Sequence, residues 1–211
     1  MSAGRLVVFE GIEGSGKTTQ AKLLYESISG IAGGCTLTEE PQSGSPITRL
    51  IREELKKDPS KSAEAFDMRT LQLLFAADRS IHVEKLIVPR LEAGGTVIVD
   101  RYFLTSVAYA GAFGGEGLAD YLMGVNDVFP KPDLVVFLRV PAEVALRRVE
   151  LREKKDRYDN LESLRKQYDA YLSLSRSPYA KGPQWCEIDG DRDQRSVAAD
   201  VLAAMQKHFK F

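Results

Sequence analysis

Short runs of hydrophobic residues alternate along this chain with longer amphipathic stretches. The runs are continuously hydrophobic rather than alternating, a pattern typical of strands that are covered on both faces in a parallel sheet. We predict strands at residues 6–9, 35–38, 96–99, 134–138 and, from a weaker pattern, 185–188. The amphipathic stretches have the period of helices and cover residues 18–29, 46–57, 65–92, 105–125, 142–153, 160–175 and 195–207.

This alternation of strands and helices predicts an α/β fold of three layers, in which helices flank a five-stranded parallel sheet. The connections between parallel strands are expected to be right-handed crossovers. Sheets of this kind bind ligands beyond the carboxyl ends of their strands. Glu10 and Gly11 follow the first strand, and Asp100 and Arg101 follow the third. We therefore expect a site at that edge of the sheet.

The length of 211 residues is enough for one domain, and we expect residues 1–211 to form one. The net charge of −1 offers no electrostatic reason to expect nucleic acid or an anionic membrane as a partner. No apolar run approaches the roughly 20 residues that span a bilayer, and no signal-peptide pattern precedes the first strand. Cys35 and Cys186 are isolated, which argues against a structural metal site and favours a reducing compartment. These features predict a cytoplasmic protein.

Residues 11–18 have the spacing G-x-x-x-x-G-K-T between a predicted strand and a predicted helix. This position is typical of a phosphate-binding loop, because glycines let the backbone aim N–H groups at phosphate oxygens and the helix adds its positive dipole end. Lys17 is expected to reach the β- and γ-phosphates of a nucleoside triphosphate, and Thr18 to ligate Mg²⁺. The alternative is a tight turn with an exposed lysine. The predicted nucleotide-contacting residues are Gly11, Ile12, Glu13, Gly14, Ser15, Gly16, Lys17, Thr18 and Thr19.

Asp100 and Arg101 stand at the end of the third predicted strand. If the bound triphosphate transfers a phosphoryl group to a second substrate that carries a phosphate (the acceptor), two roles suit the carboxylate. It is able to hold the hydration shell of a metal ion, or a water bound to the acceptor's phosphate. The guanidinium is suited to bind a phosphate with two parallel hydrogen bonds. The alternative is a salt bridge at the strand end, but a phosphate-binding loop in the same sheet favours the functional interpretation.

Phe75, Arg79 and His82 share one face of the long predicted helix, at spacings of four and three residues. A base is able to stack on Phe75 while Arg79 donates to an exocyclic oxygen. In the alternative, Phe75 is a core residue and Arg79 pairs with Glu84 or Asp78. The spacing alone does not decide between these two. For His82 a structural role is favoured, because phosphoryl transfer to a phosphate acceptor needs no strong base.

A basic stretch lies between two predicted helices and contains Arg147, Arg148, Arg152, Lys154, Lys155 and Arg157. Such a run is usually a solvated face. On a mobile lid, however, its arginines would neutralise the charge that develops on a transferred phosphoryl group.

Several segments together resemble the thymidylate kinase family, P-loop enzymes that phosphorylate dTMP with ATP. The Phe-Glu-Gly that opens the phosphate loop and the Asp-Arg-Tyr after the third strand set this family apart from other P-loop kinases. The resemblance runs nearly end to end. Its segments are residues 9–20, 73–79 with His82, 89–94, 100–102, 108–109, 152–158 and 188–189.

The resemblance implies a role for each residue around the base and sugar of dTMP. Phe75 would stack on thymine, and Arg79 would donate a hydrogen bond to its O4. Ser106 stands where the family has a small polar residue against the N3 edge. Tyr109 would pack under the sugar and disfavour a 2′-hydroxyl.

The resemblance also implies how the phosphates are handled. Arg101 would hold the acceptor phosphate, Glu13 would face the sugar's 3′-hydroxyl, and Asp100 would organise metal-bound water. Some relatives carry a catalytic arginine in the phosphate loop, and this loop has none. The arginine for the transition state is therefore expected from a short lid at about residues 150–160, as Arg152 or Arg157. ATP as donor, Mg²⁺ as cofactor and a homodimer follow from the same resemblance.

This chain departs from the family pattern after the second strand, where Arg-Glu-Pro-Gly-Gly-Thr is replaced by the sequence of residues 39–44. The loop borders the acceptor site, so Arg52 is expected to contribute more there. Ala110 replaces a glutamine common in the family. A kinase for another nucleoside monophosphate or for a deoxynucleoside is the first alternative. The second is a nucleotide-dependent switch or binding module, although the Asn-Lys-x-Asp motif of a GTP-binding switch is absent.

Overall fold

The computed structural model describes residues 4–30, 33–57, 62, 64–151 and 157–209 of the chain. Its sheet has five parallel strands in the order β2-β3-β1-β4-β5. They are β1 (Arg5–Glu10), β2 (Cys35–Glu39), β3 (Thr96–Asp100), β4 (Leu134–Arg139) and β5 (Gln184–Asp189). Each predicted strand is found with its ends displaced by no more than one residue, so the predicted fold class is confirmed.

Helices cover both faces of this sheet. They are α1 (Lys17–Ile28), α2 (Pro46–Leu55), α3 (Met68–His82), α4 (Val88–Glu92), α5 (Phe103–Phe113), α6 (Leu118–Val125), α7 (Ala142–Glu150), α8 (Leu161–Ser175) and α9 (Gln194–Phe209). A π-helical turn, Val83–Ile87, joins α3 to α4. Pro89 has no N–H and cannot continue an α-helical ladder, and Val88 donates instead to the carbonyl of Val83, five residues back.

The prediction of one helix over residues 105–125 is wrong. Two helices, α5 and α6, occupy this stretch, and a glycine-rich turn separates them. Gly115 and Gly117 in that turn both have φ of 76°, in the left-handed region that glycine adopts without strain. The helix predicted at residues 142–153 ends earlier, at Glu150.

Alternate residues of the central strands face two different hydrophobic layers. Leu6 and Val8 pack with the buried residues of α5 and α6 on one face. Val7 and Phe9 pack with those of α1 and α9 on the other. Because both faces of the sheet are covered, the strands need apolar residues at successive positions, which explains the continuous hydrophobic runs.

The register of the sheet brings two chemically important segments together. Phe9 of β1 lies opposite Asp100 of β3, so the loop after β1 and the residues after β3 leave the sheet side by side. Over the described residues, no helix combines the length and the apolar character that a membrane crossing requires.

Candidate active site

The loop between β1 and α1 wraps closely against its neighbours. Gly11 has φ of 145° and Gly14 has φ of 78°. A Cβ atom at Gly14 would lie 2.4 Å from the carbonyl oxygen of Ala145, and one at Gly11 would lie 2.8 Å from that of Leu138. Both positions therefore require glycine, as expected for a phosphate-binding loop.

Lys17 is the first residue of α1, and its ammonium group folds back over the loop. Its Nζ donates to the carbonyl oxygen of Ile12 at 2.7 Å and to Ser15 Oγ at 3.4 Å. The residue is only 4% exposed, so the alternative of an exposed lysine is wrong. Burial, and after it the positive charge of Arg101, lowers the pKa of Lys17 to about 8. A buried ammonium beside a cation is a site that an anion would stabilise.

We expect the binding of a triphosphate to this loop to take up protons at about pH 8, where Lys17 is partly deprotonated in the free protein. Phosphate charge favours the ammonium form, so the pKa of Lys17 rises on binding and affinity falls as the pH increases beyond about 8. Calorimetry of ATP binding in two buffers of different ionisation enthalpy measures this uptake. Equal uptake by wild type and Lys17→Met would contradict the assignment.

Thr18 and Asp100 meet where α1 begins and β3 ends. Thr18 Oγ1 donates to Asp100 Oδ2 at 2.5 Å. Asp100 Oδ1 is buried and has no hydrogen-bond partner within the described residues, which is costly for a carboxylate oxygen. Mg²⁺ binds through one or two protein oxygens and takes its other ligands from phosphates and water. This pair therefore fits Mg²⁺, although the described residues contain no group of three or more Asp, Glu, His or Cys side chains placed to hold a metal ion by themselves.

Arg101 turns from the end of β3 toward the phosphate loop. Its Nη2 donates to the carboxylate of Glu13, and its Nη1 lies 3.3 Å from the carbonyl oxygen of Gly11. The ion pair thus joins the residue after β3 to the phosphate-binding loop. The phosphate-binding loop is therefore in direct contact with the guanidinium of Arg101, a group that is able to bind a second phosphate.

Arg79 is 1% exposed and projects from α3 into a buried polar network. Its Nε donates to Glu40 Oε2 at 2.7 Å, and its Nη1 donates to Asn126 Oδ1 at 2.6 Å. Its Nη2 lies 3.3 Å from Ser106 Oγ, and the guanidinium packs over the ring of Tyr102. The carboxylate that pairs with Arg79 is therefore Glu40, in place of the Glu84 or Asp78 expected from helix spacing.

His82 and Asp78 complete this network on the side of the loop after β2. His82 is fully buried, with Nδ1 3.1 Å from Glu40 Oε1 and Nε2 2.9 Å from Thr38 Oγ1, so the structural role is confirmed. Asp78 accepts from the backbone N–H of Gln42 at 2.9 Å. The unusual loop at residues 39–44 is thus held to α3.

Removing the carboxylate of Glu40 is expected to destabilise the fold, because Arg79 would be left buried without its charge partner. We expect Glu40→Ala to lower the free energy of unfolding by about 3–5 kcal/mol, the usual effect of breaking a buried ion pair from one side. Urea denaturation measures the change. Glu39→Ala is the matched control, because Glu39 is exposed and bonds only to Ser43 among the contacts described. Equal effects of the two variants would contradict the prediction.

The remaining residues predicted around the acceptor differ in exposure. Phe75 is half-buried on α3, which leaves part of its ring accessible and argues against the core alternative. Ser106 is buried on α5 and reaches Arg79. Tyr109 is half-buried, with its ring centroid 5.9 Å from that of Phe113 and 5.3 Å from that of Tyr158.

Arg52 belongs to α2, and Arg157 contacts the last residue of that helix. Arg52 is exposed and lines an open cavity of about 500 Å³. Arg157 donates its backbone N–H to Leu55 at 3.2 Å, and its guanidinium lies against the ring of Tyr158. Within the described residues, Nε and Nη1 of Arg157 are buried without a hydrogen-bond partner. Arg152, the other predicted lid arginine, lies outside the described residues.

Two residues near the loop, Arg148 and Glu10, make contacts with distant segments that the sequence does not predict. Arg148 on α7 reaches the carbonyl oxygens of Gly14, at 3.4 Å, and Gly190, at 3.1 Å. Glu10, the last residue of β1, is fully buried, and burial raises its pKa against the lowering effect of its hydrogen bonds. A charged residue directly after the apolar run of residues 6–9 is the signal that points to Glu10 in the sequence.

A phosphate-binding loop, an oxygen pair that fits Mg²⁺ and an arginine beside them define a P-loop phosphotransferase on a five-stranded parallel sheet. The profile of the thymidylate kinase family matches residues 9–201. The chain belongs to the thymidylate kinase family, whose reaction is the phosphorylation of dTMP by ATP.

Similar proteins agree with this assignment. A probable thymidylate kinase of Pyrococcus horikoshii is 44% identical over 179 residues, which are 82% of this chain and 83% of that protein. A thymidylate kinase of Rhodopseudomonas palustris is 37% identical over 99% of this chain and 91% of its own length. The structure of the Candida albicans thymidylate kinase has a TM-score of 0.81 and 25% identity, covering 98% of this chain and 93% of that one. The expected kinase is confirmed, and these comparisons lend no support to another substrate or to a switch.

Proposed function

We propose that this chain converts dTMP to dTDP with ATP, and so supplies a step toward dTTP, through the residues described above. The observation that carries the proposal is the contact between Arg101 and Glu13. Because Arg101 directly follows β3 and Glu13 lies in the loop after β1, the donor and acceptor phosphates would meet in the crevice between these strands. We also propose that residues 1–211 act as one domain, with a lid at about residues 150–160.

On the donor side, Lys17 and the backbone N–H groups of the loop would bind the β- and γ-phosphates of ATP. Thr18 and Asp100 would hold Mg²⁺, which would neutralise charge on the phosphates when bound. The buried, unpartnered oxygen of Asp100 supports this role. Arg148 would flank the nucleotide at the rim of the loop, since it links Gly14 to Gly190.

On the acceptor side, Arg101 would bind the phosphate of dTMP, and Arg52 would add positive charge at the entrance. Glu13 would exchange its contact with Arg101 for the 3′-hydroxyl of the sugar. The contacts of the phosphate-binding loop would then depend on both substrates, because Glu13 belongs to the loop that binds ATP and faces the site of dTMP.

The base would be held between Phe75 and the buried guanidinium of Arg79. Three hydrogen bonds orient Arg79, and a guanidinium donates but never accepts, so it favours a carbonyl oxygen such as O4 of thymine. Ser106 would face the N3 edge, and Tyr109 would pack under the sugar. A fixed donor disfavours cytosine, which has an amino group at the same position.

The charge of the transition state would be stabilised by Arg157, whose Nε and Nη1 have no hydrogen-bond partner among the described residues. Burying donors without acceptors is unfavourable, so a phosphoryl oxygen would satisfy them. Closure of the lid would also exclude water, which would otherwise hydrolyse ATP.

A homodimer is proposed through α2, α3 and α6. α2 packs on α3, and α3 packs on α6. Leu50 is 37% exposed, Leu73 37% and Tyr121 50%, so the three helices present large apolar side chains to solvent. Light scattering of the purified chain measures the oligomeric state.

A cytoplasmic location stays a prediction.

A substrate panel tests the proposed reaction. The purified chain is incubated with ATP, Mg²⁺ and each nucleoside monophosphate in turn, and ADP release and diphosphate formation are measured. We expect dTMP to be the best acceptor and dCMP to be a poor one. Preferred turnover of another monophosphate, or ATP hydrolysis that no acceptor accelerates, would overturn the proposal.

A further inference from the structure

Glu10 is a buried carboxylate to which the proposed reaction gives no role. It is 0% exposed, and both of its carboxylate oxygens accept hydrogen bonds from the protein itself. Its Oε1 accepts from the backbone N–H of Tyr102 at 3.0 Å. Its Oε2 accepts from Thr105 Oγ1 at 2.6 Å and from Tyr171 Oη at 2.9 Å. Burying a carboxylate is unfavourable even with such partners, and an apolar residue at the end of β1 would avoid that cost.

The residue beside these donors has a strained backbone. Arg101 has φ of 70°, and it is the one non-glycine residue with positive φ among those described. An L-residue reaches this conformation at a cost, and it persists only where surrounding contacts hold it. The N–H of Arg101 donates to Phe9 at 3.0 Å, and the next N–H, of Tyr102, donates to Glu10. The end of β1 therefore fixes the backbone on both sides of Arg101.

The guanidinium of Arg101 is connected to Glu10 by a second route. Thr105 Oγ1 donates its single proton to Glu10, and its lone pairs then face Arg101 Nη1 at 3.4 Å. Tyr171, on α8, donates from its Oη to the same carboxylate oxygen, and this Oη lies 2.8 Å from Thr105 Oγ1. Backbone and side chain of Arg101 are thus both oriented by one carboxylate.

We propose that Glu10 is a positioning residue for the acceptor phosphate, acting by fixing the direction of the Arg101 guanidinium. Thr105 relays this effect, and Tyr171 holds Glu10 in place from the helix that follows the lid region. The proposal rests on the proposed role of Arg101 as the ligand of the dTMP phosphate.

Steady-state kinetics of Glu10→Gln test the proposal. Glutamine keeps the shape but places an NH₂ group opposite donors that need an acceptor. We expect the KM for dTMP to rise about tenfold, which corresponds to about 1.4 kcal/mol, while the KM for ATP stays within about twofold. Thr105→Val, which breaks only the side-chain route, is expected to raise the KM for dTMP by a smaller factor. Glu26→Gln, at an exposed position on α1, is the matched control.

A double-mutant cycle separates positioning from a structural role. In an Arg101→Lys background, Glu10→Gln is expected to cause no further rise in the KM for dTMP, because the group through which it acts is gone. Additive effects, equal changes in both KM values, or a lower melting temperature with unchanged kinetics would each overturn the inference. Wild type that makes no dTDP overturns the proposed function instead, and the same cycle is then measured with the monophosphate that it does accept.

Discussion

Replacing Lys17 by methionine is expected to lower kcat for dTMP phosphorylation by about a thousandfold, the upper range for loss of one preorganised electrostatic contact. The Lys17 ammonium is buried and lies 2.7 Å from the carbonyl oxygen of Ile12. Its charge is held inside the loop before the nucleotide arrives, so no reorganisation is needed as charge develops on the γ-phosphate. Methionine is an unbranched side chain one heavy atom shorter than lysine, and it removes the charge.

Lys22→Met is the matched control for this variant. Lys22 lies on the same helix, but its side chain is 69% exposed and pairs only with Glu26 among the contacts described. Its loss is expected to leave kcat unchanged, because exposed ion pairs contribute little. Single-turnover measurements at saturating ATP separate chemistry from binding. A Lys17→Met enzyme with normal single-turnover rates would contradict the assigned role.

Arg157→Gln is expected to lower kcat by about a thousandfold or more, the range measured for arginines that neutralise a transferred phosphoryl group. The physical reason is the pair of buried, unpartnered nitrogens that a phosphoryl oxygen would satisfy. Glutamine keeps a hydrogen-bond donor but removes the positive charge. The KM for dTMP is expected to change little, because the interaction belongs to the transition state.

Arg165→Gln controls for the general loss of an arginine near the lid. Arg165 is on α8, 60% exposed, and pairs with Glu143 on the surface. A small effect of Arg157→Gln combined with a large effect of Arg152→Gln would move the catalytic role to Arg152. Equal effects of Arg157→Gln and Arg165→Gln would contradict a catalytic role for Arg157.

The strands were predictable because their signal is local. A strand covered on both faces requires apolar residues at successive positions, and each such run is visible without knowing its neighbours. The break between α5 and α6 was not predicted, although Gly-Gly-Glu-Gly at residues 114–117 is a local signal for a turn. There the left-handed conformation of Gly115 and Gly117 decides the outcome.

The candidate site was predictable only in part. Lys17 and Thr18 follow from a contiguous pattern, and Asp100 and Arg101 follow from their place at a strand end. The spacing left the role of Arg79 open, and neither carboxylate that it offered is the partner, because Glu40 lies 39 residues away along the chain and approaches from the loop after β2. Helix spacing offers only neighbours such as Asp78.

The sequence by itself determined the fold class, the phosphate-binding loop and the family, because each is read from short segments whose patterns are local, wherever along the chain those segments lie. Tertiary structure alone decided which distant groups meet. Thr18 bonds to Asp100 across 82 residues, and Tyr171 bonds to Glu10 across 161. The physical reason is the strand order β2-β3-β1-β4-β5, which sets β1 beside β3 and brings the ends of both strands to one crevice.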